Sequence, residues 1–392
     1  MYSQIYLDYN ATTPCAQEVV EAMLPYFHED FGNPSSSHHP YGWLAKDAIG
    51  KASATIAATL GIAASDIIYT SGATESINMI LKGICSAHKQ QGKHLITSKA
   101  EHKAVLDTCA FLEEEGFEVT YLDVDAQGLI SPKAFKDALR PDTVLAAFLY
   151  ANNETGAVQP LGEIATLAKA NNTFLFADAT QALGKIPLAS FFEAVDFCCF
   201  SAHKVYGPKG MGMVYIKNLE GRGALSSFIQ GGGQQKGMRG GTLNTPGIVG
   251  FAKAIQLAYA NFDQEIQHLT QLRNQLEEGL LALEHSTSNS TAVARLPNTA
   301  NISFAYVDGE TLLRSLSKFM AVSNGSACNS AAVEPSHVLS AMGVKKNLAY
   351  ASLRLSLGRY TKEDDIKRAI TIISKEVQAL REDNILWERR QQ

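Results

Sequence analysis

Polar residues follow two apolar segments of the sequence that have the length of β-strands. The segment TFLFADATQALG carries Asp178 just after its apolar run, with Gln181 three residues later. That spacing would place both side chains on one face of a following helix. The segment FCCFSAHKVYGPKG ends in Ser201, His203 and Lys204. Because ligands of an open parallel sheet bind at the carboxyl ends of its strands, these residues are the first candidates for a functional site.

A third segment, IIYTSGATES, passes from a predicted strand into a predicted helix through residues 71–74 (SGAT). Free backbone N–H groups at such a helix start can hold a phosphate. A lysine for a Schiff base, an aspartate for a pyridinium nitrogen and a phosphate site together point to pyridoxal phosphate. Taken singly, Asp178 could equally be a helix cap and Lys204 an ordinary surface lysine.

The elements that must position these residues form an α/β pattern. Short apolar runs alternate with segments of helical periodicity, and the runs are IIYT, HLITS, EVTYLD, TVLAAFLY, TFLFADA, DFCCFSA and GMVYIK. Strands that are apolar on both faces and alternate with helices predict a mainly parallel sheet of seven strands with helices on both faces. We predict a large domain over 14–256 and a smaller α+β domain formed by 1–13 and 257–392.

Several helices are predicted by local signals. Ser131 followed by Pro132 is an N-cap followed by a proline at the first helical position, and LGEIATLAKA after Pro160 has apolar residues at helical spacing. Residues 255–283 form one long helical pattern, and a final helix is predicted over about 364–380.

Composition excludes several classes of protein. The 392 residues are 46% hydrophobic and 19% charged, which indicates a large core and excludes a disordered chain. A net charge of -5 argues against nucleic acid as the main ligand, and no apolar run is long enough for a membrane span. The N-terminus shows no secretory signal pattern, so we expect a cytoplasmic protein. The six cysteines show no zinc or disulfide spacing, and in GPKGMGMVYI the position of the third glycine of a dinucleotide fingerprint is taken by Tyr215.

Motifs along nearly the whole chain resemble those of the cysteine desulfurases, in the longer-loop group of the class V aminotransferase family of pyridoxal-phosphate enzymes. The motifs are YLDYNATTP, FGNPSSSH, TSGATES, EHKAVLD, ANNETG, ADATQALGK, SAHKVYGPKG, RGGTLN, GSACNSAAVEPSHVL and LRLSLGRYT. The resemblance implies the fold of type I pyridoxal-phosphate enzymes, a homodimer, and the conversion of L-cysteine to L-alanine with transfer of the sulfur to an acceptor.

The resemblance also implies a role for each matching residue. Lys204 is the Schiff-base lysine, Asp178 pairs with the ring nitrogen, Gln181 contacts the ring hydroxyl, and His102 stacks on the ring and exchanges protons. Ala73, Thr74, Ser201 and His203 surround the phosphate, Thr242 reaches it from the other subunit, and Asn153 and Arg354 hold the substrate carboxylate. Read from the pattern alone, His102 could be a helix-start histidine without a task, and Arg354 could form a surface ion pair.

Cys328 determines the reaction type. It lies in SNGSACNSAA, whose small polar residues show neither helical nor strand periodicity, so we expect an exposed, mobile loop. An exposed thiolate can attack the sulfur of a bound cysteine. The resemblance implies that Cys328 carries the sulfur as a persulfide and makes a transient iron–sulfur contact; we predict no resident metal site. Cys198 and Cys199 lie within FCCF and are expected to be buried and inert.

The sequence departs from the family pattern at two places. Asn324 and Asn329 flank the cysteine where serine or threonine is commoner, and the chain ends in ILWERRQQ, without the longer tail with which related members dock an iron–sulfur scaffold. Iron–sulfur assembly, tRNA thiolation and DNA modification therefore all remain open as destinations of the sulfur. The alternative functions are a selenocysteine lyase or another class V enzyme, and an inactive binding subunit. The Cys328 loop argues against an ordinary aminotransferase, and Lys204, Asp178, His102 and Cys328 together argue against the binding subunit.

Overall fold

The structure is a computed structural model that describes residues 4–218, 225–324, 334–384 and 387. Its strands are β1 (Ile5–Tyr6), β2 (Ile67–Thr70), β3 (His94–Ser98), β4 (Glu118–Leu122), β5 (Thr143–Leu149), β6 (Phe174–Asp178), β7 (Phe197–Ser201), β8 (Gly212–Ile216), β9 (Ser286–Ser288), β10 (Thr299–Phe304), β11 (Met320–Ala321) and β12 (Ser352–Ser356). Its helices are α1 (Gln17–Met23), α2 (Pro25–His28), α3 (Pro40–Leu60), α4 (Ala73–His88), α5 (Lys103–Glu114), α6 (Pro132–Ala138), α7 (Leu161–Ala170), α8 (Ala189–Ala194), α9 (Thr245–Ala260), α10 (Phe262–Leu281), α11 (Gly309–Leu316), α12 (His337–Ala341), α13 (Lys346–Tyr350) and α14 (Glu363–Glu382).

The largest sheet contains seven strands in the order β2-β8-β7-β6-β5-β3-β4. The five strands from β4 to β7 pair in parallel, and β8 is antiparallel to both of its neighbours. All seven residues of β5 are buried, as expected for a parallel strand that is covered on both faces. The predicted mainly parallel sheet is therefore confirmed, with the seven apolar runs of the sequence as its strands.

Helices cover both faces of this sheet because its strands alternate their side chains. In β7, Cys198 and Phe200 point into a core shared with α3, α7, α8 and α9. Phe197 and Cys199 point to the opposite face, where α4 and α5 form a second core. The predicted starts of two helices are also confirmed, since Ser131 caps α6 by accepting from the Ala134 N–H and α7 begins directly after Pro160.

A smaller core lies beside the large sheet. It contains β10, β12, α10, α11 and α14 together with Ile5 and Leu7 from the start of the chain. The antiparallel strands β9, β10 and β12 form one sheet, and β1 pairs in parallel with β11. The exact division of the chain after residues 13 and 256 stays a prediction.

The single long helix predicted over 255–283 is wrong, because two helices meet at Asn261. The backbone of Asn261 has φ -130° and ψ 37°, which is not helical. Before it, α9 packs against α3 in the large core, whereas after it α10 packs against α14 in the small one. The chain changes cores at this residue, and periodicity alone does not report that change. Within the described residues, no helix combines the length and the apolar character needed to cross a membrane.

Candidate functional site

A cavity of about 700 Å³ opens at the carboxyl ends of β2, β6 and β7. The predicted site residues that line it are Ala73, Thr74, His102, Asn153, Asp178, Gln181, Ser201, His203, Lys204 and Arg354. The structure thus brings together residues from six separate segments of the chain. Cys328 and Asn329 lie outside the described residues, as does most of the chain after residue 384.

Lys204 ends a single 3-10 turn, Ala202–Lys204, that follows β7 directly. Its Nζ donates to the carbonyl oxygens of Asn10 at 2.6 Å and of Ala11 at 2.7 Å. Burial, and then the positive charge of Arg354, lower the pKa of the Lys204 amine to about 8. An amine with this pKa is a far better nucleophile near neutral pH than an ordinary lysine, so the surface-lysine interpretation is excluded.

Asp178 is the last residue of β6 and is only 3% exposed. One carboxylate oxygen accepts from the Thr180 N–H at 3.0 Å and from the Cys199 thiol at 3.5 Å. A buried carboxylate needs a cationic or hydrogen-bonding partner, and the cavity that Asp178 lines provides room for one. Asp178 is therefore suited to a ring nitrogen that must stay protonated.

The start of α4 forms the anion-binding end of the cavity. Its N-cap residue is Gly72, which has no side chain to cap the helix and adopts φ +152°. A Cβ atom built on Gly212 of β8 would lie 2.6 Å from the Gly72 Cα, so only glycine lets the two backbones pass this closely. The N–H groups of the first turn, beside Thr74 and Ser201, are thus available to a phosphate.

His203 lies next to this anion-binding end. Its Nδ1 lies 3.1 Å from the hydroxyl of Thr12. Burial first, and then the positive charges of Lys204 and Lys209, lower the pKa of His203 to about 4. The imidazole is neutral at physiological pH and has one ring N–H to donate.

His102 occupies the N-cap of α5, where its Nδ1 accepts from the Ala104 N–H at 3.1 Å. This bond places the proton of the neutral ring on Nε2. His102 is exposed and lines the cavity. It is both a helix-start histidine and a residue of the site, so the two interpretations of its sequence position do not exclude each other.

Arg354 of β12 closes the opposite side of the cavity. It is 7% exposed, and its Nη2 lies 2.8 Å from the carboxylate of Asp8. Its Nη1 approaches the Asn153 carbonyl oxygen at 3.5 Å. Among the described residues, its buried Nε has no hydrogen-bond partner. A guanidinium with a free buried N–H is prepared for an anionic group such as a carboxylate.

Two site residues were missed in the sequence, although both lie in the motif YLDYNATTP. The first is Asp8, the partner of Arg354. The second is Asn10, which is 1% exposed and whose carbonyl oxygen accepts from both Gln181 and Lys204. Its side chain also donates to the Asn153 carbonyl oxygen at 3.0 Å. A run of polar residues after a short apolar strand was the available signal, but it does not indicate a partner.

The described residues on both sides of 325–333 are anchored at the cavity. On one side, the Ser323 carbonyl oxygen accepts from the Arg354 N–H at 2.6 Å. On the other side, the Ser336 hydroxyl donates to the buried carboxylate of Glu154, which follows Asn153 directly. Ser323 and Ser336, on either side of this segment, are therefore held by the strand and the loop that position Arg354 and Asn153.

Thr242 lies away from this cavity in the single chain. It is exposed and lines a separate cavity of about 280 Å³ with Phe31 and Asn33. Phe31 is also one of the exposed apolar side chains of this part of the chain, which are Val20, Leu24, Phe27, Phe31, Tyr41, Trp43 and Leu44. The loop before Thr242 is attached to its own chain by Gln235, whose side-chain amide bonds both backbone groups of Tyr69.

Residues 5–369 match the family model described as "Aminotransferase class-V". The chain is 46% identical to the "Cysteine desulfurase IscS" of Anaeromyxobacter sp. (strain Fw109-5) over 98% of its own length and 95% of that protein's. It is also 46% identical to the "Cysteine desulfurase IscS" of Haemophilus influenzae (strain PittGG), with the same coverage of both chains.

Two solved structures resemble the chain closely. A structure titled "NIFS-LIKE PROTEIN" superposes with a TM-score of 0.89 at 36% identity, over 96% of this chain and 99% of that chain. A second, titled "SspA in complex with cysteine", superposes with a TM-score of 0.81 at 38% identity, over 91% of this chain and 100% of that chain.

Proposed function

Since the chain belongs to the class V aminotransferase family, we propose that it is a cysteine desulfurase whose active site is the cavity at the carboxyl ends of the sheet. The protein is a pyridoxal-phosphate enzyme that converts L-cysteine to L-alanine and transfers the sulfur. The observation that carries the assignment of the site is that Lys204, Asp178 and the uncapped start of α4 face one cavity.

The residues of the cavity fit the cofactor. Lys204 offers an amine of lowered pKa, Asp178 a buried carboxylate, and the first turn of α4 its free N–H groups with the hydroxyls of Thr74 and Ser201. When bound, pyridoxal phosphate supplies an electron sink for the bonds that break at the substrate. The negative charge of Asp178 maintains that sink by keeping the ring nitrogen protonated.

The protein supplies the proton transfers. With the cofactor bound, Lys204 would both attach it and remove the Cα proton of the substrate. His102 exchanges protons through its Nε2, because its Nδ1 is engaged by the backbone of α5. Neutral His203 donates a hydrogen bond to the phosphate without adding a further positive charge beside Lys204.

The substrate carboxylate lies against Arg354 and Asn153. Asp8 holds Nη2 of Arg354, so the unpaired Nε can receive the carboxylate without a rearrangement of the guanidinium. This contact determines which end of the amino acid faces Lys204. The solved structure of SspA holds cysteine, which supports the same substrate for this chain.

Cys328 accepts the sulfur. Its thiolate attacks the substrate sulfur, the C–S bond breaks, and the products are L-alanine and a persulfide on Cys328. Five residues of chain span at most about 18 Å, so Cys328 cannot lie further than this from Ser323, which is bonded to Arg354. The sequence position of Cys328, five residues after Ser323, is therefore compatible with the proposed attack.

The persulfide passes to a protein acceptor, for which we propose an iron–sulfur scaffold, with a tRNA-thiolation enzyme as the alternative. The relatives named IscS are cysteine desulfurases, and desulfurase chemistry is needed whichever of the two acceptors receives the sulfur. A cytoplasmic location completes this proposal, and the free state of the five described cysteines fits a reducing compartment.

The proposed reaction is tested by adding L-cysteine to the cofactor-loaded protein together with a thiol reductant, which releases the persulfide sulfur as sulfide, and measuring alanine and sulfide. We expect one alanine for each sulfur released, and faster turnover with the correct acceptor than without it. L-Selenocysteine serves as the comparison substrate. Alanine release from L-selenocysteine but not from L-cysteine would replace the proposal by a selenocysteine lyase, and release from neither would indicate an inactive binding subunit.

We further propose that the active protein is a homodimer in which Thr242 binds the phosphate of the partner's cofactor. Seven large apolar side chains between Val20 and Leu44 are exposed at the surface, and one of them, Phe31, lines the cavity that contains Thr242. A second copy of the chain would cover this surface and bring its own cavity to Thr242.

Complementation between two variants tests the dimer. Lys204→Ala should be inactive, and Thr242→Ala should bind the cofactor about tenfold more weakly through loss of one hydrogen bond to a charged group. If Thr242 acts across the interface, a mixed dimer has one complete site. In that site the Thr242→Ala subunit provides Lys204, and the Lys204→Ala subunit provides Thr242. Coexpression should then restore up to half of the wild-type activity at limiting cofactor. A mixed dimer that binds the cofactor no better than Thr242→Ala, or a fully active monomer in sedimentation, would contradict the proposal.

A further inference from the structure

Lys185 is a buried cation that the proposed chemistry does not use. It follows the turn after β6 and is only 8% exposed. Its Nζ donates to the side-chain oxygen of Gln181 at 2.7 Å. Among the described residues it forms no ion pair with a carboxylate, and its strongest charged neighbour is Lys204, which repels it. Such a placement destabilises the ammonium, so the bond to Gln181 needs an explanation.

The backbone forces Lys185 into this position. Gly184, the residue before it, adopts φ +70°, and a Cβ atom there would lie 2.9 Å from side-chain atoms of both Val205 and Ala258. The glycine thus lets the chain turn tightly under the site and directs the following side chain inward. The start of this turn carries Gln181, four residues before Lys185, which places the amide and the ammonium side by side.

Lys185 determines which end of the Gln181 amide faces the cavity. Nζ of Lys185 donates to the side-chain oxygen of Gln181, so this oxygen points to Lys185. The Nε2 atom then lies on the other side, where it donates to the Asn10 carbonyl oxygen at 2.9 Å. One N–H of Nε2 remains for the cavity that Gln181 lines. Burial, and then the charge of Lys204, lower the pKa of Lys185 to about 7, so below about pH 7 its positive charge also polarises the amide and strengthens that donor.

We propose that Lys185 is a positioning residue that holds Gln181 with its N–H group toward the ring oxygen of the cofactor and so stabilises negative charge on that oxygen. The inference rests on the proposed binding of pyridoxal phosphate in this cavity. Gln181 touches the cofactor, whereas Lys185 acts through Gln181. Lys185 can orient the Gln181 amide only while its Nζ donates a hydrogen bond. This requirement distinguishes a positioning role from a role in packing alone.

Other charged groups also reach Lys185. A small cavity of about 20 Å³ beside it is lined by Lys204, by Glu265 of α10 and by Arg359 after β12. Glu265 is held by Arg359, since the guanidinium donates to its carboxylate at 3.0 Å. The variants used below change only positions 185 and 181, so these three groups are present in all of them. Their effect on the pH midpoint therefore cancels when the variants are compared.

The test is the pH midpoint of the visible absorption change of the lysine-bound cofactor. A hydrogen-bond donor and a positive charge both stabilise the negative ring oxygen, so the proton that this oxygen shares with the Schiff-base nitrogen is held less tightly. Lys185→Met removes the donor and the charge at similar volume, and we expect the midpoint to rise by about one pH unit. Lys185→Arg retains both and should restore most of the wild-type midpoint.

A double-mutant cycle shows whether Lys185 acts through Gln181. Gln181→Ala alone should raise the pH midpoint of the absorption change. Adding Lys185→Met to it should then move the midpoint by less than about a third of the shift that Lys185→Met causes in the wild-type background. Gln181→Glu provides a variant with a well-paired Lys185, because the new carboxylate forms an ion pair with it, yet the donor toward the ring is lost. We expect its midpoint to rise as well.

Two outcomes overturn the inference. One is an unchanged midpoint in Gln181→Glu or in Lys185→Met, and the other is an equal shift by Lys185→Met with and without Gln181. The measurement requires bound cofactor but no turnover, so it is separate from the proposed function. Shifted midpoints in a protein that fails to release alanine would support the inference and overturn the desulfurase, whereas unshifted midpoints in an active enzyme overturn the inference alone.

Discussion

Lys204→Ala is expected to lose turnover of L-cysteine by about 10²–10⁴-fold or more, the usual contribution of a positioned general base. In the proposed mechanism the same amine attaches the cofactor and removes the Cα proton, and among the described residues Lys209 is the other lysine that lines the cavity. Lys185 donates to Gln181 and is not among the residues that line the cavity, while Lys209 is exposed. The variant should still bind pyridoxal phosphate noncovalently through Asp178 and the start of α4.

Borohydride reduction provides the direct measurement. In the wild-type protein it should fix the cofactor to the peptide that contains Lys204, as identified by mass spectrometry. Lys169→Ala, a change at an exposed lysine in the last turn of α7, is the matched control and should leave both labelling and turnover unchanged. Labelling of Lys209, or retained turnover by Lys204→Ala, would show that another amine is responsible.

The rate at which the cofactor attaches to the apoprotein should increase with pH. The reaction requires the neutral amine, and the pKa of Lys204 is lowered from 10.5 to about 8 by burial and by Arg354. The neutral fraction at pH 7 is then about one tenth, compared with less than about one thousandth for an ordinary lysine. The rate of reconstitution should rise with pH up to about 8 and level off above it.

Cys328→Ser is expected to abolish formation of the protein persulfide while leaving the bound cofactor and the binding of L-cysteine intact. Binding needs the substrate amine and the contacts of its carboxylate with Arg354 and Asn153, none of which involve the thiol. The other cysteines cannot replace Cys328. Cys198 and Cys199 are completely buried, and burial raises the pKa of both thiols far above their ordinary value.

Mass spectrometry after brief exposure to L-cysteine distinguishes the thiols. Wild type should gain one sulfur atom on the peptide that contains Cys328, and Cys328→Ser should gain none. Cys15 is the matched control, because it is a partly exposed thiol that does not line the active-site cavity, with a pKa raised by burial. Cys15→Ser should form the persulfide normally. A persulfide on any other cysteine in wild type would assign the nucleophile elsewhere.

The parts of the fold that depend on local pattern could be predicted from the sequence. Each of the seven apolar runs became a strand, and Asp178 and Lys204 follow strands whose ends meet at one edge of the sheet. The helix break at Asn261 could not be predicted in this way, because both sides of it have the same periodicity and differ only in the core against which they pack.

Contacts between distant segments explain what was missed at the site. Asp8 is positioned by a hydrogen bond from Arg354, which lies 346 residues further along the chain. Asn10 accepts a hydrogen bond from Lys204, which lies 194 residues further along. Nothing in the local sequence specifies such pairs. Lys185 was missed for a different reason, since a lysine four residues after Gln181 is typical of an exposed helix face and here lies inside the protein instead.

The pairing of Asp8 with Arg354 also constrains when this enzyme can mature during its synthesis. Asp8 leaves the ribosome among the first residues, and Arg354 follows after a delay on the order of tens of seconds at ordinary rates of translation. Until then, the nascent chain contains Lys204 and Asp178 but lacks the guanidinium that is proposed to hold the substrate carboxylate. The proposed site therefore acquires this contact only near the end of synthesis.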